Sequence, residues 1–195
     1  MNIPNTLTVM RVALSVVAAL LVCAGFKYAA SASFVIFVIA GSTDWFDGYL
    51  ARKMNVVTNL GKFMDALCDK IMVIGFFMVL LGLGLYGEGY MKFAIFCAFF
   101  SSAREFFVSG IRMLAAAQGI VLAAEKLGKY KAALQMYSIG AIICAHAVNT
   151  DFAAPGHWMY YFAFYSGIAT LAVSTVLSII SGAGYGVRYR HLLRG

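Results

Sequence analysis

Asp44-Trp45-Phe46-Asp47-Gly48-Tyr49-Leu50-Ala51-Arg52 is followed, after eight residues, by Gly61-Lys62-Phe63-Met64-Asp65-Ala66-Leu67-Cys68-Asp69-Lys70. Four of the eight acidic residues of the chain sit in these two stretches, and each stretch runs into a long apolar segment. Asp44 and Asp47 are three apart and Asp65 and Asp69 four apart, so on helices each pair occupies one face. The short connection brings the two faces together. Asp44 precedes Arg52 by eight residues, about 12 Å along a helix, which sets the carboxylates below a membrane interface, in a cavity that must admit water. Exposure to lipid would be too costly.

The rest of the chain agrees with a bilayer. Of 195 residues, 63% are hydrophobic and 12% charged, and the mean hydropathy is +0.85, far from the make-up of a soluble domain. A spanning helix needs roughly 20 mostly apolar residues, and such stretches occur near 6–25, 31–52, 62–85, 91–116, 129–149 and 158–183. The expected fold is therefore an all-α integral membrane protein, six transmembrane helices around a polar cavity, with residues 1–195 as a single domain. The first stretch is like a signal peptide in length, but it has no small-residue cleavage site or strongly basic leader, and Asn5, Thr8 and Arg11 make its start polar.

Orientation follows from the Lys and Arg of the short loops. Arg52, Lys53 and Lys62, then Lys126, Lys129 and Lys131, then Arg188, Arg190 and Arg194 fall on one side; Lys27 and Lys92 fall on the other, beside Asp151 and Glu88. Six spans then place both termini and the cavity mouth in the cytoplasm, as in a bacterial inner membrane. The net charge of +7 is explained by topology and anionic head groups, and calls for no nucleic acid. Cys23, Cys68, Cys97 and Cys144 are scattered singly, without metal-ligand or disulfide spacing, and His146, His157 and His191 are solitary and assigned no role. Gly82, Gly84, Gly87 and Gly89 predict a loose turn around Tyr86.

Four converging carboxylates need compensation, since two of them about 4 Å apart repel by roughly 4 kcal/mol at an effective dielectric of 20. All-oxygen ligands suit Mg²⁺ or Mn²⁺, and two such ions neutralise four Asp. Gly48 and Gly61 leave bare backbone beside them, where a nucleotide or diphosphate can approach; packing between small residues is the competing account. Metals, glycines and Arg52 together point to phosphoryl transfer, in which cations neutralise the transferred group and a positioned base takes a proton from the attacking hydroxyl.

Written as a pattern, D-x-x-D-G-x-x-A-R, eight residues, then G-x-x-x-D-x-x-x-D resembles the defining motif of the CDP-alcohol phosphatidyltransferases, with all eight fixed positions filled. The resemblance implies that Asp44, Asp47, Asp65 and Asp69 hold two Mg²⁺ or Mn²⁺ ions, with Asp69 also the general base. It further implies that Asn5, Gly48, Ala51, Arg52 and Gly61 hold the CDP part of CDP-diacylglycerol, and that the protein is a homodimer. Asn2 to Arg11, and Arg104-Glu105, Gly110-Ile111-Arg112, Ala115, Gly119, Gly128-Lys129-Tyr130-Lys131 and Gln135-Met136, are similar to the members whose acceptor is sn-glycerol 3-phosphate.

A dianionic acceptor needs fixed cations, and Arg112, Lys129 and Lys131 are the expected phosphate pocket, with Arg104 deeper. Arg104 and Glu105 are adjacent on a helix and so are not expected to face each other. Ala66 and Cys68 stand where the family usually has Pro and Ala, Ala132 where it has Thr, and Ala124 where it has Ser. Residues 151–195 carry no chemical motif, and their aromatics read as lipid-facing packing or an interfacial belt. Two rivals remain: a family member acting on inositol phosphate, serine or a second phospholipid, and a divalent-cation transporter, which predicts broken spans and inverted halves.

Overall fold

The computed structural model describes residues 3–53, 59–120, 122, 126–152 and 157–190, with side chains for 9–43, 67–120, 122, 127–152 and 157–190. Six helices follow one another: α1 Ile3–Cys23, α2 Ala29–Lys53, α3 Asn59–Gly82, α4 Gly87–Ala117, α5 Lys126–Thr150 and α6 Trp158–Arg188. The protein is an all-α membrane protein, and no strand occurs among the described residues. Three helices there are long and apolar enough to cross a bilayer, Gly87–Ala117, Leu127–Thr150 and Trp158–Arg188, and two shorter apolar ones are Val9–Cys23 and Ala29–Thr43. The 31 residues of α4 and of α6 give about 46 Å each, more than the roughly 30 Å of hydrocarbon, so each carries a turn or more beyond it. These long helices run unbroken, unlike the interrupted spans a transporter predicts.

The apolar composition provides no hydrophobic drive between helices in lipid, so close packing has to hold them. Glycines supply it where side chains from a neighbour press in. A Cβ at Gly140 of α5 would stand 3.2 Å from the Phe37 ring of α2, and one at Gly167 of α6 would stand 3.1 Å from Ile142 of α5. Phe37 in turn meets Phe76 of α3 edge-on, centroids 4.9 Å apart. Phe37, Phe76 and Ile142 belong to one core with Phe77, Leu80, Ile139, Ile143, Phe164 and Leu171. Hydroxyls beside it tie the helices together: Ser33 Oγ of α2 donates to the carbonyl of Ala18 of α1, and Ser138 Oγ of α5 to that of Gly167 of α6.

The turn between α3 and α4 is tighter than expected. Only residues 83–86 are outside helix; Gly82 and Gly89 are helical, whereas Gly84 and Gly87, both at φ +68°, reverse the chain. Tyr86, flanked by them, is fully buried. At the far end of α4, Gly119 at φ +75° lets the N–H of Ile120 donate to the carbonyl of Ala115 at 2.8 Å, a left-handed helix stop. Asp151, just past α5, accepts from both the N–H and the Oγ of Ser31 at 2.6 Å, closing the first turn of α2. Burial raises its carboxyl somewhat, but these bonds, with others from Tyr28 and Thr150, outweigh that and hold it below the ordinary carboxylate range.

Candidate active site

At the end of the bundle opposite Asp151, α3, α4, α5 and α6 diverge around a cavity of about 250 Å³. Helical spacing explains its lining. Asp69, Lys70 and Val73 come from α3; Arg104, Glu105, Val108, Ser109 and Arg112 from one stripe of α4; Gly128, Lys131, Ala132 and Gln135 from successive turns of α5, with Lys129; and Tyr185 from α6. The cations expected from sequence, Arg104, Arg112, Lys129 and Lys131, thus share one cavity with Asp69. Lys70 makes a fifth, against the two carboxylates of Asp69 and Glu105.

The cavity has two levels. Its back wall is buried: Lys131 is 2% and Gln135 1% exposed. Glu105 Oε1 pairs with the ammonium of Lys131 and, at 3.2 Å, with the guanidinium of Arg104. Arg104 reaches on to α6, where its Nη2 donates to Ser181 Oγ at 2.7 Å. It passes over two glycines to do so. A Cβ at Gly182 would lie 2.9 Å from Arg104 Cγ, and one at Gly128 would lie 3.6 Å from its Nη2. The mouth is open, with Asp69, Arg112 and Lys129 all exposed. Between the levels, Lys70 Nζ donates to Ser109 Oγ, which donates to the carbonyl of Glu105. Arg112 Nε reaches the Tyr185 hydroxyl at 3.4 Å, its guanidinium 5.8 Å from the ring centre.

Two expectations change here. Arg104 and Glu105 do meet, because the arginine is long enough to fold back along the helix while both side chains turn toward α5. Tyr185 is not a lipid-facing aromatic: it is 1% exposed and lines the cavity. The signal for it was the stripe Ser174, Ser178, Ser181, Gly182 and Tyr185 at spacings of three and four, all buried on one face of α6. By contrast Trp158, Tyr161, Phe162 and Tyr165 near the start of α6 are exposed, as an interfacial belt would be. Ser109 and Ser181 also went unassigned, since single polar residues on apolar helices carry no motif of their own, and Lys70, Glu105 and Gln135, though within the quoted patterns, were given no role.

Asn5, Asp44, Asp47, Gly48, Ala51, Arg52, Gly61 and Asp65 fall on helical backbone of α1, α2 and α3, but lie outside the residues whose side chains are described. Among the described residues no three acidic, His or Cys side chains form a group able to hold a metal. What the backbone does show is the spacing: 44 and 47 on continuous helix α2, 65 and 69 on continuous helix α3.

Sequence comparison bears on the whole chain. The CDP-diacylglycerol–glycerol-3-phosphate 3-phosphatidyltransferase of Bacillus subtilis (strain 168) is 34% identical over 177 residues, covering 83% of this chain and 88% of its own. The enzyme of the same name from Rickettsia typhi is 33% identical over 94% of each chain, and that of Wigglesworthia glossinidia brevipalpis 30% identical over 100% of this chain and 98% of its own. A profile of the CDP-alcohol phosphatidyltransferases matches residues 1–179, which include both acidic stretches and all of the cavity lining except Tyr185, so the chain belongs to the CDP-alcohol phosphatidyltransferase family.

Proposed function

We propose that this protein transfers the phosphatidyl group of CDP-diacylglycerol to the 1-hydroxyl of sn-glycerol 3-phosphate, giving phosphatidylglycerophosphate and CMP. The observation that carries the choice of acceptor is the cavity itself, five cationic side chains beside Asp69. Serine or free inositol would not need that set, whereas a phosphate dianion does; inositol phosphate carries one too, and against it stand the names of the relatives.

In this reading Lys131, Arg112 and Lys129 hold the acceptor phosphate, with Arg104 behind them, and so aim the far hydroxyl at Asp69. Asp69 takes its proton as the oxygen attacks the phosphorus that bears diacylglycerol. The new O–P bond forms as the bond to CMP breaks, and no covalent enzyme intermediate is required. Asp44, Asp47, Asp65 and Asp69 would hold two Mg²⁺ or Mn²⁺ ions. Their donors fit, being all oxygen, paired at helical spacing on α2 and α3. Bound there, such ions supply charge neutralisation for the diphosphate. Asn5, Gly48, Ala51, Arg52 and Gly61 would hold the CDP moiety.

The same reading makes the chain one domain of six spans, with both termini and the cavity mouth in the cytoplasm of a bacterial inner membrane, and a homodimer. Purified protein in detergent, given CDP-diacylglycerol and Mg²⁺, should release CMP with glycerol 3-phosphate and not with inositol phosphate, serine or water. Release with inositol phosphate would keep the pocket and overturn the acceptor, and release with serine would keep only the family chemistry.

A further inference from the structure

In the back wall of the cavity one carboxylate oxygen, Glu105 Oε1, meets two cations, the buried Lys131 and the partly buried Arg104. Nearly sealed from water, Lys131 has this ion pair as its close acidic contact. One turn along α5, Gln135 also lines the cavity, 1% exposed, and its Nε2 has no hydrogen-bond partner. A buried donor left without an acceptor is costly, and this one lines a cavity where, among the described residues, five cations meet two carboxylates, Asp69 and Glu105. The wall is therefore complete only when an anion with several acceptor oxygens enters.

We propose that Glu105 is a positioning residue that serves as the resting counter-ion of the acceptor-phosphate pocket. With the pocket empty it holds Lys131 and Arg104 in place. When the phosphate arrives, the Lys131 ammonium passes from the carboxylate to a phosphate oxygen and Gln135 Nε2 gains an acceptor. Arg104, fixed by Ser181 and by its passage over Gly182, keeps Glu105. This rests on the reading of the cavity as a phosphate site. Its consequence is selectivity: a carboxylate at the back wall repels adventitious anions, so a small phosphate binds weakly. The acceptor then has to rely on its glycerol moiety as well.

The test uses inorganic phosphate as probe on the purified full chain in detergent. Glu105→Gln should bind inorganic phosphate at least fivefold more tightly than the natural protein, while kcat with the acceptor falls at least tenfold because Lys131 is no longer aimed. Glu105→Asp, which keeps the charge, should leave phosphate affinity within twofold and recover part of kcat. Unchanged or weaker phosphate binding by folded Glu105→Gln overturns the proposal and leaves Glu105 a structural tie. Should that variant fail to fold, the natural protein still decides. Only three glutamates occur, Glu88, Glu105 and Glu125, so with ¹³C-labelled glutamate, saturating phosphate must shift one carboxylate infrared band that is absent from Glu105→Asp. No shift refutes the hand-over. If the natural protein binds no phosphate at all, the phosphate reading of the cavity fails, a distinct result.

Discussion

Helix α5 has a carboxylate against a neighbouring element at each end, and the two are satisfied in opposite ways. Near its start, Lys131 pairs with Glu105, which also meets Arg104; just past its other end, Asp151 accepts from the N–H and hydroxyl of Ser31. Asp151 is met by backbone and a short side chain, groups with little freedom, whose dipoles complement one charge completely. Glu105 is met by two long flexible cations, which outnumber it. The first arrangement is a rivet. The second belongs to a cavity where, among the described residues, five cations meet two carboxylates, and such a surplus is what an anion site requires. If this contrast holds, damage at the cavity should fall on catalysis and acceptor binding, and damage at Asp151 on stability alone.

The sharpest test removes the base. Asp69→Asn should cut CMP release by about 10²- to 10⁴-fold, the usual worth of a positioned general base, with the protein still folded by thermal scan. Near-normal turnover would separate the cavity from the chemistry. A smaller effect follows from Lys131→Met, which loses one charge-assisted bond to the phosphate, about 1.5–3 kcal/mol. The KM for glycerol 3-phosphate should rise about 10- to 100-fold, and that for CDP-diacylglycerol should not move. Equal rises in both would show that Lys131 supports the fold and not the acceptor.

The same contrast explains what could be read from sequence. Helices came through within a few residues because the apolar runs are long and few charges interrupt them; α6 runs on to Arg188, where 183 was expected, since Gly184, Tyr185 and Gly186 continue the helix rather than end it. Arg112 stood out because a cation inside an apolar helix demands a reason, and Lys129 and Lys131 through the family pattern; the structure brings the three to one cavity. Tyr185 was not legible, because an aromatic near a membrane helix end is ordinary and only the packing of α6 on α4 and α5 reveals which way it faces. Glu105 was half-legible: its oddity was visible but its partner lies 26 positions away on α5, and side-chain reach made it a neighbour of Arg104 despite the helix geometry.

Gly182 tests how exact the cavity wall must be. Its missing side chain lets Arg104 cross α6, with a Cβ there only 2.9 Å from Arg104 Cγ, whereas a Cβ at Gly184, two residues on, meets nothing within 4 Å. Gly182→Ala should therefore cost about 1–3 kcal/mol as overpacking and raise the acceptor KM several-fold by moving Arg104 off Ser181. Gly184→Ala should do neither. Thermal unfolding in detergent and acceptor kinetics on the pair read the two effects separately, and equal behaviour would mean that α6 yields easily along this face.

At the other end of α5 the effect should be smallest, and confined to stability. Because hydrogen bonds hold the folded carboxyl of Asp151 below its ordinary range, its contribution is fully present above the unfolded value, about 3.9, and is lost as the pH falls through the lower folded value. Asp151→Ala should then lower Tm at neutral pH by a few degrees, in keeping with about 1 kcal/mol for a lost helix-start acceptor. The gap between natural and variant protein should close only below pH 4, and kcat and KM should stay as they were. A variant that instead lost acceptor affinity would tie the two ends of α5 together, and the division between rivet and site would have to be given up.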